Sequence, residues 1–290
     1  MKNKLCATIV LYNPDEDIFH NIDSYIDGID KLIVVDNSEL ENNLLTEKLK
    51  SRYTNIIYIY NGENLGIATA LNIACDKAIE LNYSWILTMD QDSKFIDFSK
   101  FINCFKNILD KESNIGIITP NHTHTDKTTI DDCSYEEKES VITSGNILNL
   151  KYFNKIGRYD DTLFIDMVDY DFSNKIVLNN LKIYMIKNIY ILHHIGEIFK
   201  RKNLISRKIK EKIEHNPQRV YYMTRNRLIL SKKYAKSIPK EYNLLKTLNI
   251  LFIHDITKII LYEDQKLKKL YAKFLALFHF IINKTGRYHL

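Results

Sequence analysis

Short runs of β-branched and aromatic residues recur through the first part of the chain, at 4–11, 31–36, 55–60, 84–90 and 115–119, each stopping at Asn, Asp or Pro. Runs of this kind between turn formers predict strands. Between them the apolar residues fall into helical spacing over 15–27, 40–51, 66–81 and 97–110; in the third, Ile67, Leu71, Ala74, Ala78 and Leu81 make one stripe. Strand and helix therefore alternate, which predicts an α/β fold with a doubly wound, mainly parallel sheet that binds ligands at the carboxyl ends of its strands. A second block begins near 141. Val141–Leu150 reads as a strand, 151–156 and 168–179 as short helices, and 182–187 and 189–192 as strands covering the crevice from its other side. From 217 onward the pattern is helical, near 217–235, 241–262 and 264–284, and mixes Lys with Leu, Ile, Phe and Tyr.

Composition narrows the class. A chain of 290 residues with 45% hydrophobic and 27% charged residues is neither disordered nor fibrous, and 8 glycines and 4 prolines leave no linker. Cys6, Cys75, Cys104 and Cys133 form no CxxC pair or Cys/His zinc cluster, which fits a reducing, cytoplasmic address. The apolar stretch after Met1-Lys2-Asn3-Lys4 ends at Tyr12-Asn13-Pro14-Asp15, too short for a signal peptide, and no segment approaches the length of a membrane span. A soluble or peripheral protein is expected. The net charge of +5 is uneven, since residues 200–240 hold 14 Lys and Arg against Glu211 and Glu214. A basic segment beside an acidic body points to a phosphate-rich or anionic-lipid partner, against the plainer alternative of a solvated lysine-rich face.

Three strand ends carry the chemistry. Asp90-Gln91-Asp92-Ser93 follows the buried-looking Trp85-Ile86-Leu87-Thr88-Met89, bringing two carboxylates to the crevice mouth, where Mg²⁺ or Mn²⁺ would relieve their repulsion and neutralise a diphosphate. An Asx-turn, or an N-cap for the 97–110 helix, is the competing reading. Asp36 ends Leu32-Ile33-Val34-Val35, where a carboxylate can accept the imide N–H of uracil or thymine, with Thr8 and Tyr12 on the neighbouring strand; capping of the 40–51 helix is the alternative. Asn61-Gly62-Glu63-Asn64-Leu65-Gly66 makes a tight turn into a helix N-terminus, a weak phosphate-loop signal. Phe164-Ile165-Asp166-Met167-Val168-Asp169-Tyr170-Asp171 offers a general base, with Asp166 and Asp169 on one face if the helix has begun; acids favourable to a helix dipole are the alternative. Gly145, after Ser144, lets substrate approach the backbone. His193 or His194 is an extra metal or phosphate contact, or a core histidine. Arg219, Tyr222 and Asn226 share a helix face with Arg225 nearby, which suits phosphate.

In order along residues 5–230, this sequence resembles the family 2 glycosyltransferases and, more narrowly, their bacterial rhamnosyltransferases. The resemblance rests on Thr8-Ile9-Val10-Leu11-Tyr12-Asn13-Pro14, Val35-Asp36-Asn37-Ser38, Glu63-Asn64-Leu65-Gly66-Ile67-Ala68 with Leu71-Asn72, Met89-Asp90-Gln91-Asp92-Ser93, Ser144-Gly145, Leu163-Phe164-Ile165-Asp166-Met167-Val168-Asp169, His193-His194-Ile195-Gly196 and Arg219-Val220-Tyr221-Tyr222-Met223-Thr224-Arg225-Asn226. It implies a GT-A fold, dTDP-β-L-rhamnose as donor, Mg²⁺ or Mn²⁺ as cofactor, and inversion at a hydroxyl of a lipid-linked glycan in surface-polysaccharide assembly. It carries base recognition to Asp36, metal and diphosphate to Asp90 and Asp92, and the catalytic base to Asp169. Donor contacts then fall at Thr8, Tyr12, Asn13, Asp36, Asn64, Gly66, Asn72, Asp90 and Gln91, and acceptor or phosphate contacts at Ser144, Gly145, Asp166, Arg219, Tyr222 and Arg225. Gln91 narrows the donor towards dTDP-rhamnose. Many relatives have Glu-Asp where this chain has Val168-Asp169, so Asp166 is a rival base.

The expected layout is a catalytic domain over 1–215, with a nucleotide-sugar half to about 120 and an acceptor half beyond, followed by a helical region over 216–290 that lies on a membrane, dimerises or packs on the body. The expected address is cytoplasmic, peripheral at the inner membrane face, with no nucleic-acid partner. A UDP-sugar transferase and a non-catalytic basic membrane-binding protein are the rival functions.

Overall fold

The computed structural model describes residues 4–123, 132–193, 198–202 and 209–290. Its first compact unit comprises Met1–Asp161 with Val168–His194. The elements of this unit are β1 (Leu5–Leu11), α1 (Asp17–Asp23), β2 (Lys31–Asp36), α2 (Asn43–Arg52), β3 (Ile56–Tyr60), α3 (Ile67–Glu80), β4 (Trp85–Asp90), β5 (Ser93–Phe95), α4 (Phe98–Lys111), β6 (Ile115–Thr123), β7 (Tyr135–Lys138), β8 (Asn146–Asn149), α5 (Leu150–Ile156), α6 (Val168–Leu178) and β9 (Lys182–His193).

The sheet runs β3-β2-β1-β4-β8-β6-β9-β5, with β7 also on β9. β1 pairs in parallel with β2 and β4, and β2 with β3, so four strands end along the same edge. All seven residues of β1 are buried, as expected for a central strand covered on both faces. Leu32, Val34, Leu87, Phe101 and Phe105 share one core with it. The alternating α/β pattern is therefore realised.

Several boundaries differ from the sequence reading. The strand expected over Val141–Leu150 is confined to Asn146–Asn149, because Gly145 takes φ +84 and breaks it. The strands expected at 182–187 and 189–192 are one strand, β9, whose irregular register on β6 between Thr119 and Asn121 absorbs the interruption. β5 and β7 are too short to show periodicity. Cys104 and Cys133, whose wide spacing suggests a reducing address, form a disulfide between α4 and the segment before β7, with Cα atoms 5.4 Å apart, which runs against that reading. Twenty-nine residues separate them in sequence, so only the fold reveals the pairing; Cys6 and Cys75 are free and buried.

The second unit comprises Thr162–Met167 and Ile195–Leu290. It contains an antiparallel pair, β10 (Ile198–Lys202) with β11 (Ile209–Ile213), then α7 (Pro217–Tyr234), α8 (Leu244–Asn249), a π-helical turn at Ile250–His254, α9 (Asp255–Tyr262) and α10 (Lys266–Ile281). Pro217 at the helix start and the Asn216 side chain, which accepts from the Arg219 amide, begin α7. Phe164, Val220, Tyr221, Tyr222, Ala272 and Ala276 form this unit's core. Inside it the buried Lys269 ammonium donates to Glu214 and Glu263, and Lys273 to Asp255. Burial of such cations requires those partners.

Candidate active site

Register brings three strand ends together. Leu11 of β1 lies opposite Asp36, and Val10 lies opposite Asp90. Asp36 is 1% exposed and accepts from the Ser38 amide at 2.8 Å and the Tyr58 hydroxyl at 2.6 Å. Burial and the neighbouring carboxylate raise the Tyr58 phenol above its usual range, so it stays a donor. Asn42, not Asp36, caps α2 through the Leu45 amide. Asp36 is thus a held carboxylate with lone pairs beyond those two bonds. Thr8 is different. It is wholly buried in mid-strand opposite Ile33 and Thr88, so pairing seats it short of the crevice rather than beside Asp36.

The turns above the strands are tied to one another. The Tyr12 amide donates to Gln91 Oε1 at 2.8 Å, and Gln91 Nε2 donates back to the Tyr12 carbonyl at 3.3 Å. Asn13, with φ 45, donates its amide to Ser38 Oγ. Gln91 thereby fixes the β1 turn against the β4 turn, a role its side chain plays without any ligand. Asn37 bridges the Gly66 carbonyl and the Asn61 amide side chain. Asn64 Oδ1 accepts from the Gly66 amide, and Gly66, at φ 85, turns the chain into α3, whose first N–H groups have no side-chain cap.

Asp90 ends β4 with its amide donating to the buried Ser144 hydroxyl at 3.1 Å, while Asp92 is exposed. The cap of α4 is Asp97, which accepts from the Lys100 amide. Asp92 is therefore not engaged as that helix's cap. Ser144 and Gly145 act on the backbone: the Gly145 amide donates to Thr88, and an added Cβ would sit 2.9 Å from Pro120. Both residues hold the Asp90 strand end in place.

Asp169 lies in the first turn of α6. Tyr159 is 5% exposed and stacks on Phe172 of α6, with ring centroids 4.1 Å apart. Burial raises the Tyr159 phenol well above its ordinary range, and the charges of Cys75, Asp169 and Asp90 raise it further. Asn72 is buried and fully engaged: its amide donates to the Tyr159 carbonyl and Asp161, and its oxygen accepts from the Tyr159 amide. It orients the Tyr159 segment. Tyr58, Tyr159 and Asp161 were not visible as site residues in the sequence, because each acquires its place through strand register or a long-range bond.

In the second unit, α6 has not begun at Asp166, so the shared helix face expected with Asp169 is absent. Asp166 has φ 61, and its carboxyl accepts from Arg219 Nε at 3.1 Å while Oδ2 is buried without a partner. Burial raises its pKa, opposed by the Arg219 charge. Arg225, expected at phosphate, is turned inward: it is wholly buried and donates to the carbonyls of Gly286, Thr162 and Leu163 and to Asn226 Oδ1. Tyr222 is also buried, its hydroxyl bonded to the Tyr288 backbone. Their donors are used by the fold, which leaves Arg219 as the outward-facing member of the set. His193 ends β9 opposite Ser93, and His194 lies outside the described residues.

Comparison with known proteins gives the context of these residues. Residues 6–142 match the model of glycosyl transferase family 2. Over 99% of its length the chain is 29% identical to the dTDP-rhamnosyl transferase RfbF of Shigella flexneri, covering 98% of that protein. Among solved structures, TarS 1-349 of S. aureus in complex with UDP-GlcNAc aligns over 97% of this chain and 81% of its own, with a TM-score of 0.57 at 16% identity. GalNAc-T7 with UDP, GalNAc and Mn²⁺ aligns over 84% of this chain with a TM-score of 0.55 at 12% identity; there the chain spans about half, 53%, of the neighbour's length. At these identities the structural likeness speaks to the fold.

Proposed function

We propose that this chain, a glycosyltransferase whose residues 6–142 match the family 2 model and whose α/β fold is that of GT-A enzymes, belongs to that family and moves L-rhamnose from dTDP-β-L-rhamnose to a hydroxyl of a lipid-linked glycan in surface-polysaccharide assembly. The observation that supports the reading is strand register, which brings Asp36 at the end of β2 and Asp90 at the end of β4 to the same sheet edge beside the end of β1, in a chain that is similar to a dTDP-rhamnosyl transferase along almost its whole length.

An inverting transfer is a single in-line displacement that requires a base on the acceptor side and charge stabilisation at the leaving diphosphate. Asp169 is the base in this proposal, within hydrogen-bond reach of the acceptor hydroxyl once that is bound. Asp36 accepts the imide N–H of the nucleobase, and Tyr58 keeps its carboxylate oriented. Gln91 holds the β1 and β4 turns closed over the donor.

Asp90 and Asp92 are hard oxygen donors that suit Mg²⁺ or Mn²⁺. Among the described residues no group of three or more His, Cys, Asp and Glu side chains converges, so Asp90 and Asp92 would hold the ion together with oxygens of the donor diphosphate and water. The metal would contribute charge neutralisation at the departing dTDP. The chain's own residues do the positioning.

Turnover of dTDP-L-rhamnose against a panel of UDP-sugars, with release of the nucleotide diphosphate and transfer to a lipid-linked acceptor as readouts, tests the proposal. Preferential use of dTDP-L-rhamnose is expected. Turnover of a UDP-sugar with no rhamnose transfer across a broad acceptor set would overturn it, since Asp36 recognises an imide common to uracil and thymine.

A further inference from the structure

The second unit carries a surface that the transfer reaction does not use. α10 buries Lys269, Ala272, Lys273, Ala276 and His279 on one face. On the opposite face Leu267, Tyr271, Phe274, Phe278 and Ile281 recur at spacings of four and three, and they are 84%, 59%, 56%, 55% and 65% exposed. One continuous apolar stripe therefore faces water along the whole helix. The stripe is broadened sideways. Phe274 packs on Phe252 of the π-helical turn with ring centroids 5.9 Å apart, and Ile253 and Ile260 continue the exposed apolar area at 65% and 49% exposure. A patch of this extent marks an interaction surface.

Charge identifies what it meets. Residues 217–290 hold 15 Lys and Arg against Glu241, Asp255, Glu263 and Asp264. Two of those acids, Asp255 and Glu263, are bonded to the inward lysines Lys273 and Lys269. What remains outward is strongly cationic, with Lys266 and Lys268 beside the stripe. We infer that the α10 face docks in the plane of an anionic phospholipid surface, its Phe and Tyr side chains entering the interface and its lysines meeting lipid phosphates. Aromatic rings favour that depth. A second copy of the chain would bring an equally cationic face against this one. Among the described residues no helix is long and apolar enough to cross a membrane, so the contact is parallel to the surface. The inference goes beyond the proposed transfer and does not depend on the identity of the donor.

The test is co-sedimentation of the full chain with vesicles of phosphatidylcholine alone and of phosphatidylcholine with one third phosphatidylglycerol, together with light scattering. Wild type is expected to bind the anionic vesicles at least ten-fold better than the neutral ones, and less as salt rises. Phe274→Ser with Phe278→Ser should lower binding at least ten-fold while leaving donor hydrolysis and the thermal transition unchanged. Leu267→Ser with Tyr271→Ser provides a second pair on the same face, and Leu40→Ser in the first unit, equally exposed, should bind as wild type does. Equal binding to both vesicle types would overturn the inference, as would wild-type binding by both stripe variants. A wild-type dimer that the stripe substitutions dissociate, with no vesicle binding, would also overturn it and assign the face to a second copy.

Discussion

In the proposed transfer, Asp169 and Asp36 put the same side chain to two tasks. Asp36 is buried and receives two short hydrogen bonds, from Ser38 and Tyr58, which fix a carboxylate for recognition. Asp169 sits partly exposed at the start of α6, where its charge is favoured by the helix dipole and its Oδ1 accepts from the Tyr170 amide. Replacement of Asp169 by Asn keeps the shape and removes the proton acceptor. The expected result is a fall in kcat of about 10²- to 10⁴-fold with donor affinity retained, measured by steady-state kinetics alongside titration of dTDP. An unchanged kcat would move the base elsewhere, Asp166 being the rival.

Among the elements, the turn before α6 is the most strained. Phe164, Asp166 and Met167 all have positive φ, at 65, 61 and 64 degrees, a conformation that costs about 1–3 kcal/mol at each non-glycine position. Asn226 of α7 offsets that cost by donating to the carbonyls of Leu163, Ile165 and Asp166. Asn226→Ala leaves those carbonyls without it, and we expect a loss of about 1–3 kcal/mol in urea-induced unfolding. α10 gives an element-scale dependence on pH. Burial, with Lys284 and Arg225 nearby, holds the His279 imidazole below its ordinary range, and its Nδ1 is hydrogen-bonded to the Tyr221 hydroxyl at 2.8 Å. The unfolded chain takes up this proton near about pH 6.5 and the folded chain only lower. Stability should therefore be complete above that pH and fall as pH drops through it, and His279→Gln should flatten this limb of the thermal-denaturation profile. These elements also show what the sequence made legible. The strands ending at Asp36 and Asp90 could be read because burial on both faces writes uninterrupted apolar runs. The inward turn of Arg225 could not, because a guanidinium bonded to the carbonyls of Gly286, Thr162 and Leu163 depends on chain segments some 60 residues away and leaves no local pattern. The same holds for Asn72, which resembles a ligand contact in its motif but is held by Tyr159 and Asp161.

For the whole molecule, the distribution of carboxylates sets how the enzyme should respond to loss of metal. Only Asp90 and Asp92 stand at the end of β4, and no larger cluster of ligating side chains occurs among the described residues. A site with two protein carboxylates resembles the sparse Mg²⁺ sites that complete their shells with substrate phosphates and water, rather than a dedicated cage. Such a site releases its ion readily. Brief treatment with a chelator should abolish transfer without altering the thermal transition, and added Mg²⁺ or Mn²⁺ should restore it. The apparent metal affinity, read by calorimetry, should tighten when dTDP is present, since the diphosphate would add oxygen ligands to those of Asp90 and Asp92. Asp92→Asn should raise the metal concentration needed for half-maximal turnover by about ten-fold or more, while an enzyme that keeps full activity in chelator would overturn the metal's part in charge neutralisation.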